Sequence, residues 1–138
     1  MRCTLQVACL ACTAAIYAPP RRRVAPLYAQ PEGDWEQLGL QQTTAQAARQ
    51  LGPEFQRPTP AQASAIPAIV EDEADALIHA RTGSGKTLAY LLPLIERIDS
   101  SRQATQACIG APTRELGLQV AKVLRRLTKG SVMSLLDC

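Results

Sequence analysis

The segment of residues 80–87 carries the clearest chemistry in this 138-residue sequence. Gly83 and Gly85 allow backbone N–H groups to surround phosphate oxygens, and the helical pattern that follows adds the dipole of a helix N-terminus. Lys86 supplies a positive charge for the β- and γ-phosphates of a nucleotide, and the Thr87 hydroxyl is a ligand for Mg²⁺. We therefore predict a phosphate-binding loop made of Ala80, Arg81, Thr82, Gly83, Ser84, Gly85, Lys86 and Thr87.

This loop differs from two related patterns. The generic phosphate-loop pattern has glycine where this chain has Ala80, and a dinucleotide-binding turn would require glycine at Leu88. A dinucleotide site is therefore disfavoured. The loop by itself predicts binding of nucleotide phosphates and leaves the reaction open.

The elements around the loop alternate between helical patterns and short apolar runs. Thr59 is a good N-cap with proline at the first helical position, and the run before the loop suits a buried parallel strand. This order predicts an α/β fold in which helices flank a parallel sheet. A turn followed by a helix is predicted within 34–51, and further helices are predicted at 59–70, 86–98 and 114–128, the last with Gly130 as its stop. The predicted strands lie at 76–79 and, more weakly, 103–110.

Two further motifs flank the loop. Upstream, residues 55–62 read Phe-Gln-Arg-Pro-Thr-Pro-Ala-Gln, and downstream, residues 111–116 read Ala-Pro-Thr-Arg-Glu-Leu. With these motifs in order around Ala-Arg-Thr-Gly-Ser-Gly-Lys-Thr, the chain resembles the DEAD-box RNA helicases over about residues 34–130. The resemblance implies the N-terminal part of a RecA-like domain whose ligands are ATP with Mg²⁺ and RNA.

The resemblance also implies roles for individual residues. Phe55 is expected to stack on adenine, and the Gln62 amide is expected to hydrogen-bond the edge of that base. Trp35 occupies the place of the isolated upstream aromatic residue of the family. The expected contacts with the RNA backbone are Pro112, Thr113 and Arg114.

The letters Asp72-Glu73-Ala74-Asp75 occur here, but we do not predict that they are catalytic. In the family, the catalytic acids end an apolar strand that follows the phosphate loop, whereas these residues precede it. No corresponding motif or second RecA-like domain follows the loop in this sequence, and loss of the second domain's arginines alone slows hydrolysis by about 10³–10⁵. We therefore expect that this chain alone neither hydrolyses ATP nor unwinds RNA at a useful rate.

Residues 1–31 differ in composition from the rest. They hold four arginines, no acid and a short apolar run, which predicts a targeting leader, best read as a two-part plastid presequence. A mitochondrial presequence and an N-terminal extension without a targeting signal are the alternatives.

Residues 32–138, the predicted partial helicase domain, hold 11 bases and 12 acids, a net charge of −1. Bulk charge therefore does not predict a basic nucleic-acid surface.

The cysteines predict neither a redox role nor a metal site. Cys9 and Cys12 have the spacing of a metal-binding pair, but no second pair completes a zinc site.

The preferred interpretation of the whole sequence is the N-terminal part of an ATP-dependent RNA helicase. A non-enzymatic nucleotide- or RNA-binding module is the alternative, and a different nucleotide-hydrolysing enzyme or kinase is disfavoured because nothing resembles a lid or an acceptor site.

Overall fold

The computed structural model describes residues 33–71, 76–102 and 104–129. Four helices form in this part of the chain: α1 (Gln42–Arg49), α2 (Pro60–Val70), α3 (Lys86–Arg97) and α4 (Arg114–Leu127). Short 3-10 turns at Trp35–Leu38 and Pro53–Phe55 precede α1 and α2. The predictions for residues 1–31, for the stretch at 72–75 and for Gly130 lie outside the described residues.

The predicted helices at 59–70, 86–98 and 114–128 are confirmed to within a residue at each end, and the turn followed by a helix predicted within 34–51 is confirmed as well. In this stretch a 3-10 turn ends at Gly39, which adopts the left-handed conformation, and α1 begins at Gln42. Pro67 lies inside α2 and cannot donate a backbone hydrogen bond. The helix nevertheless continues to Val70, and the Glu71 N–H donates to the Pro67 carbonyl at 2.8 Å.

Helix α3 lies at the centre of the packing. Leu91 and Leu92 are completely buried, and the whole run from Leu88 to Leu94 is buried, as expected for a helix that is covered on several sides. Helix α2 packs along α3, while α1 contacts both α3 and α4. The start of α3, which is the end of the loop at 80–87, is therefore fixed by the core.

The predicted sheet is not confirmed. The segments 76–80 and 104–110 carry no regular secondary structure, and no strand is assigned within the described ranges. Ile78 packs against the core, whereas Leu77 beside it is 68% exposed. A strand needs backbone hydrogen bonds to a neighbouring strand, and these two segments do not pair with each other. The helices cover one side of segment 76–80 only.

Among the described residues, none of the helices combines the length and the apolar character required to cross a membrane.

Candidate nucleotide-binding site

The loop before α3 has the backbone geometry that its glycines allow. Gly83 and Gly85 adopt φ angles of +81° and +83°, in the left-handed region that favours glycine. The Ser84 N–H donates to the Arg81 carbonyl at 3.3 Å, which closes the turn. Gly85 is the N-cap of α3, so the loop runs directly into the helix N-terminus. This is the arrangement in which backbone N–H groups and a helix dipole favour an anion.

Lys86 folds back over the loop that precedes it. Its ammonium donates to the Ala80 carbonyl at 2.5 Å and to the Arg81 carbonyl at 2.7 Å. The side chain is half-buried, and both acceptors belong to the predicted phosphate-binding segment. The positive charge is therefore held at the loop, with neutral carbonyls as its acceptors.

The N-terminus of α2 is hydrogen-bonded to this loop. The Thr59 hydroxyl donates to the Ser84 carbonyl at 2.8 Å, and the Gln62 amide Nε2 donates to the Gly85 carbonyl at 3.0 Å. We call these two contacts the α2–loop clasp. They join residues 25 and 23 positions apart, so the motif at 55–62 lies directly against the predicted phosphate-binding loop.

The clasp is built on a reciprocal helix cap. The Thr59 hydroxyl accepts from the Gln62 N–H at 3.4 Å, and the Gln62 side-chain oxygen accepts from the Thr59 N–H at 2.7 Å. The pattern Thr-x-x-Gln is a capping box, which the sequence could have revealed. Sequence reasoning assigned Thr59 the cap alone and did not anticipate the contact between its hydroxyl and Ser84. Gln62 is only 1% exposed, because its amide is packed between cap and loop.

The two loop glycines differ in how much space surrounds them. A Cβ atom added at Gly83 would meet nothing within 4 Å. A Cβ added at Gly85 would lie 2.3 Å from Nε2 of Gln62 and 3.2 Å from the hydroxyl oxygen of Thr59. Gly85 is therefore required both by its positive φ and by the close approach of the clasp, whereas Gly83 is required by φ alone.

Ser84 contributes a buried hydroxyl. Of the buried side-chain oxygen and nitrogen atoms in the described residues, its Oγ is the one without a hydrogen-bond partner. A buried hydroxyl left unpaired costs about 1–3 kcal/mol. An unpaired donor inside a loop of this geometry is what an incoming oxygen atom of a ligand would satisfy.

Phe55 stands at the end of the turn that precedes α2. Its ring is half-buried against the core, and its carbonyl accepts a hydrogen bond from the indole N–H of Trp35 at 3.0 Å. Trp35 is completely buried. A phenylalanine in its place could not donate this bond, so the indole N–H ties the upstream aromatic position to the backbone of Phe55.

An exposed ion pair fastens the turn that carries Trp35 to α1. Arg49 donates two parallel hydrogen bonds to the Glu36 carboxylate, at 2.6 and 2.7 Å. These bonds lower the pKa of Glu36 from its ordinary value to about 2 and raise the pKa of Arg49. The bidentate geometry orients both side chains as well as attracting them.

The third motif lies on a different element. Thr113 is the N-cap of α4, and its hydroxyl accepts from the Leu116 N–H at 3.3 Å. Pro112, Thr113 and Arg114 are all exposed at this helix N-terminus. The structure thus brings Gln62 together with the predicted phosphate-binding loop and sets the predicted RNA-contacting residues at the start of α4. Within the described chain, no group of three His, Cys, Asp or Glu residues is arranged to hold a metal ion.

Comparison with known proteins agrees with this order of motifs. The sequence profile of the DEAD/DEAH box helicase family matches residues 59–137. The chain is 46% identical over 94 residues to "DEAD-box ATP-dependent RNA helicase 58, chloroplastic" of Oryza sativa subsp. japonica, an alignment that covers 67% of this chain and 21% of that protein. It is 41% identical over 106 residues to "ATP-dependent RNA helicase DBP9" of Debaryomyces hansenii, covering 75% of this chain and 18% of that protein.

A third relative, "ATP-dependent RNA helicase DBP10" of Pyricularia oryzae, is 43% identical over 101 residues, covering 72% of this chain and 11% of that protein. The chain thus spans about a fifth or less of the length of these curated relatives. The profile match covers more than half of the chain and includes the capped helix α2, the predicted phosphate-binding loop and α4. The chain belongs to the DEAD/DEAH box helicase family.

Proposed function

We propose that this chain is the ATP-binding and RNA-backbone-binding part of an ATP-dependent RNA helicase. The observation that carries the proposal is the α2–loop clasp, in which Thr59 and Gln62 bond the carbonyls of Ser84 and Gly85. Through it, a segment suited to recognising a base and a loop suited to phosphates meet at one site. The relatives that carry the name RNA helicase are about five or more times longer than the aligned part. For this chain we therefore propose binding of ATP and of the RNA backbone, and not the whole helicase reaction.

The adenine base is proposed to lie against Phe55 with its edge at Gln62. A glutamine amide has two donor hydrogens and two acceptor lone pairs. In Gln62, one hydrogen is donated to the Gly85 carbonyl, and one lone pair accepts from the Thr59 N–H. The remaining donor and acceptor match the N7 acceptor and N6 donor of adenine, whereas guanine offers two acceptors there. Because Gln62 is buried, adenine must open the site locally to reach it. ATP is thus favoured over GTP.

The phosphates are proposed to occupy the loop. Lys86 would exchange its bonds with the Ala80 and Arg81 carbonyls for phosphate oxygens, and the unpaired Ser84 hydroxyl would donate to one of them. The residues present fit Mg²⁺ that arrives with the nucleotide, because Mg²⁺ prefers oxygen ligands and keeps phosphates and waters, and the Thr87 hydroxyl is the chain's own contribution. When bound, the ion neutralises phosphate charge. The proposed phosphate-binding residues are Ala80, Arg81, Thr82, Gly83, Ser84, Gly85, Lys86 and Thr87.

RNA is proposed to bind through its backbone at the start of α4. Pro112, Thr113 and Arg114 are exposed there, and the N-terminus of a 14-residue helix favours phosphate groups. Contacts of this type position a strand without reading its sequence. The names of the relatives, which state RNA helicase activity, support this ligand.

Two broader features complete the proposal. Residues 32–138 are proposed to be part of a RecA-like domain, in which the segments at 76–79 and 103–110 would act as strands of a parallel sheet. Residues 1–31 are proposed to direct the protein to a plastid. Their basic, acid-free composition and the word chloroplastic in the name of the rice relative support this proposal. Fusion of residues 1–31 to a fluorescent reporter tests that address, and a diffuse cytosolic signal would contradict it.

The phosphate part of the proposal is tested by removing the loop cation. Lys86→Ala should weaken ATP binding by at least tenfold, because it removes the ammonium that donates to the Ala80 and Arg81 carbonyls. Lys122→Ala is the matched control, since it removes the same charge from an exposed position on α4. Equal ATP affinity in the two variants would show that the loop does not bind the phosphates.

A further inference from the structure

The turn that carries Phe55 is held by side chains from two distant parts of the chain. At its end, the Trp35 indole N–H bonds the Phe55 carbonyl. At its beginning, the Arg126 guanidinium donates to the Leu51 carbonyl at 2.5 Å, across 75 residues of sequence. Leu51 follows α1, and its side chain is buried in the core. The segment 51–55 is thus fixed at both ends.

Arg126 reaches this carbonyl from the last turn of α4. The helix is anchored beneath it by buried Val120, Leu124 and Leu127, and α4 packs against α1. A hydrogen bond from a charged donor is shorter and about twice as strong as one between neutral groups. A cation in the last turn of a helix is also favoured by the helix dipole. The contact is therefore suited to hold the turn in one place.

We propose that Arg126 is a positioning residue for the adenine site. By holding the Leu51 carbonyl, it sets where the Pro53–Phe55 turn leaves the core, and so where the Phe55 ring stands relative to Gln62. This inference rests on the proposed function, since it assumes that the base lies against Phe55. Helix α4 begins at the proposed RNA contact, about 21 Å from its far end. One rigid element therefore carries both the RNA-facing residues and the residue that fixes the adenine platform.

The experiment compares three variants of the full chain with two ligands. ATP reports on base and phosphates together, and inorganic tripolyphosphate reports on the phosphate loop alone. Arg126→Gln removes the charged donor, whereas Arg125→Gln removes the same charge from the preceding residue of α4, which is also exposed. Arg126→Lys keeps a positively charged donor that can reach the same carbonyl.

Arg126→Gln should bind ATP about tenfold more weakly, which corresponds to about 1.4 kcal/mol, and bind tripolyphosphate within about twofold of the wild type. Arg125→Gln should match the wild type for both ligands, and Arg126→Lys should recover most of the ATP affinity. ATP affinity that is the same in the two glutamine variants would overturn the inference. An equal loss for both ligands would also overturn it, because that pattern reports a general loss of structure.

The same titrations separate this inference from the proposed function. If the wild-type chain prefers ATP to tripolyphosphate but Arg126→Gln is unaffected, only the positioning role is wrong. If the wild-type chain binds both ligands equally, the base makes no contact, and the adenine site and the inference fail together.

Discussion

Alanine substitution at the two loop glycines isolates the α2–loop clasp from the backbone geometry of the loop. Gly83 and Gly85 have nearly the same positive φ, so alanine at either position meets the same backbone strain, about 1–2 kcal/mol. Their surroundings differ, because only at Gly85 does a new Cβ meet the Gln62 amide at 2.3 Å. Gly83→Ala is therefore a matched control for Gly85→Ala.

The additional cost at Gly85 follows from the contacts that Gln62 must give up. To clear the new methyl group, its amide has to leave the Gly85 carbonyl, and the move also strains its bond with the Thr59 N–H. Each lost hydrogen bond costs about 1 kcal/mol, and a buried amide left unpaired about 1–3 kcal/mol. We expect Gly83→Ala to lower the free energy of unfolding by about 1–2 kcal/mol and Gly85→Ala by about 3–5 kcal/mol.

Urea denaturation followed by circular dichroism measures these differences, provided that the m values are unchanged. A loss of about 4 kcal/mol is a large part of the 5–15 kcal/mol typical of a domain, so it will be resolved clearly. The Gln62→Ala background supplies a further check, because without the amide the cost of Gly85→Ala should fall to that of Gly83→Ala. Equal costs at the two glycines, or an excess that survives Gln62→Ala, would refute the clasp.

Three further outcomes follow from the same contacts. Trp35→Phe removes the N–H that bonds the Phe55 carbonyl and should lower stability by about 1–3 kcal/mol in urea denaturation; no change would show that the indole N–H is not needed. Because pairing with Arg49 lowers the pKa of Glu36 to about 2, the pair stabilises the fold above the unfolded value of about 4.5, and this contribution should fade as the pH drops from 4.5 towards 2. Glu36→Gln should flatten that part of the stability profile, and an unchanged profile would contradict the pairing. Arg114→Ala should weaken binding of a single-stranded RNA and reduce its salt dependence by about one ionic contact, whereas Arg125→Ala serves as the charge-matched control; equal effects would argue against a contact at the start of α4.

The local features of this fold could be predicted from sequence because their causes are local. The cap Thr59 and the proline after it mark the start of α2, and the spacing of leucine and valine residues marks the buried face of α4. The left-handed backbone before α3 could be expected from Gly83 and Gly85, and both glycines have positive φ values. Each of these signals lies within about one or two helical turns of the feature that it predicts.

The remaining features depend on contacts between distant residues. Nothing in the composition of α2 or α4 indicates that Gln62 reaches Gly85, or that Arg126 reaches Leu51 across 75 residues. The strands present the same difficulty in another form, because a run such as 76–79 is suited to a sheet but becomes a strand only when a neighbour supplies hydrogen bonds. The burial of Gln62 could not be predicted from the sequence either, because glutamine is ordinarily exposed.

The central claim is that the motif at 55–62 and the loop at 80–87 together bind an adenine nucleotide. Calorimetric titration of the full chain with ATP and with GTP, both in the presence of Mg²⁺, tests this claim most directly. We expect ATP to bind at least tenfold more tightly than GTP, because the free donor and acceptor of the Gln62 amide match adenine and meet two acceptors on guanine. Equal affinities for the two nucleotides, or binding of neither, would contradict the account.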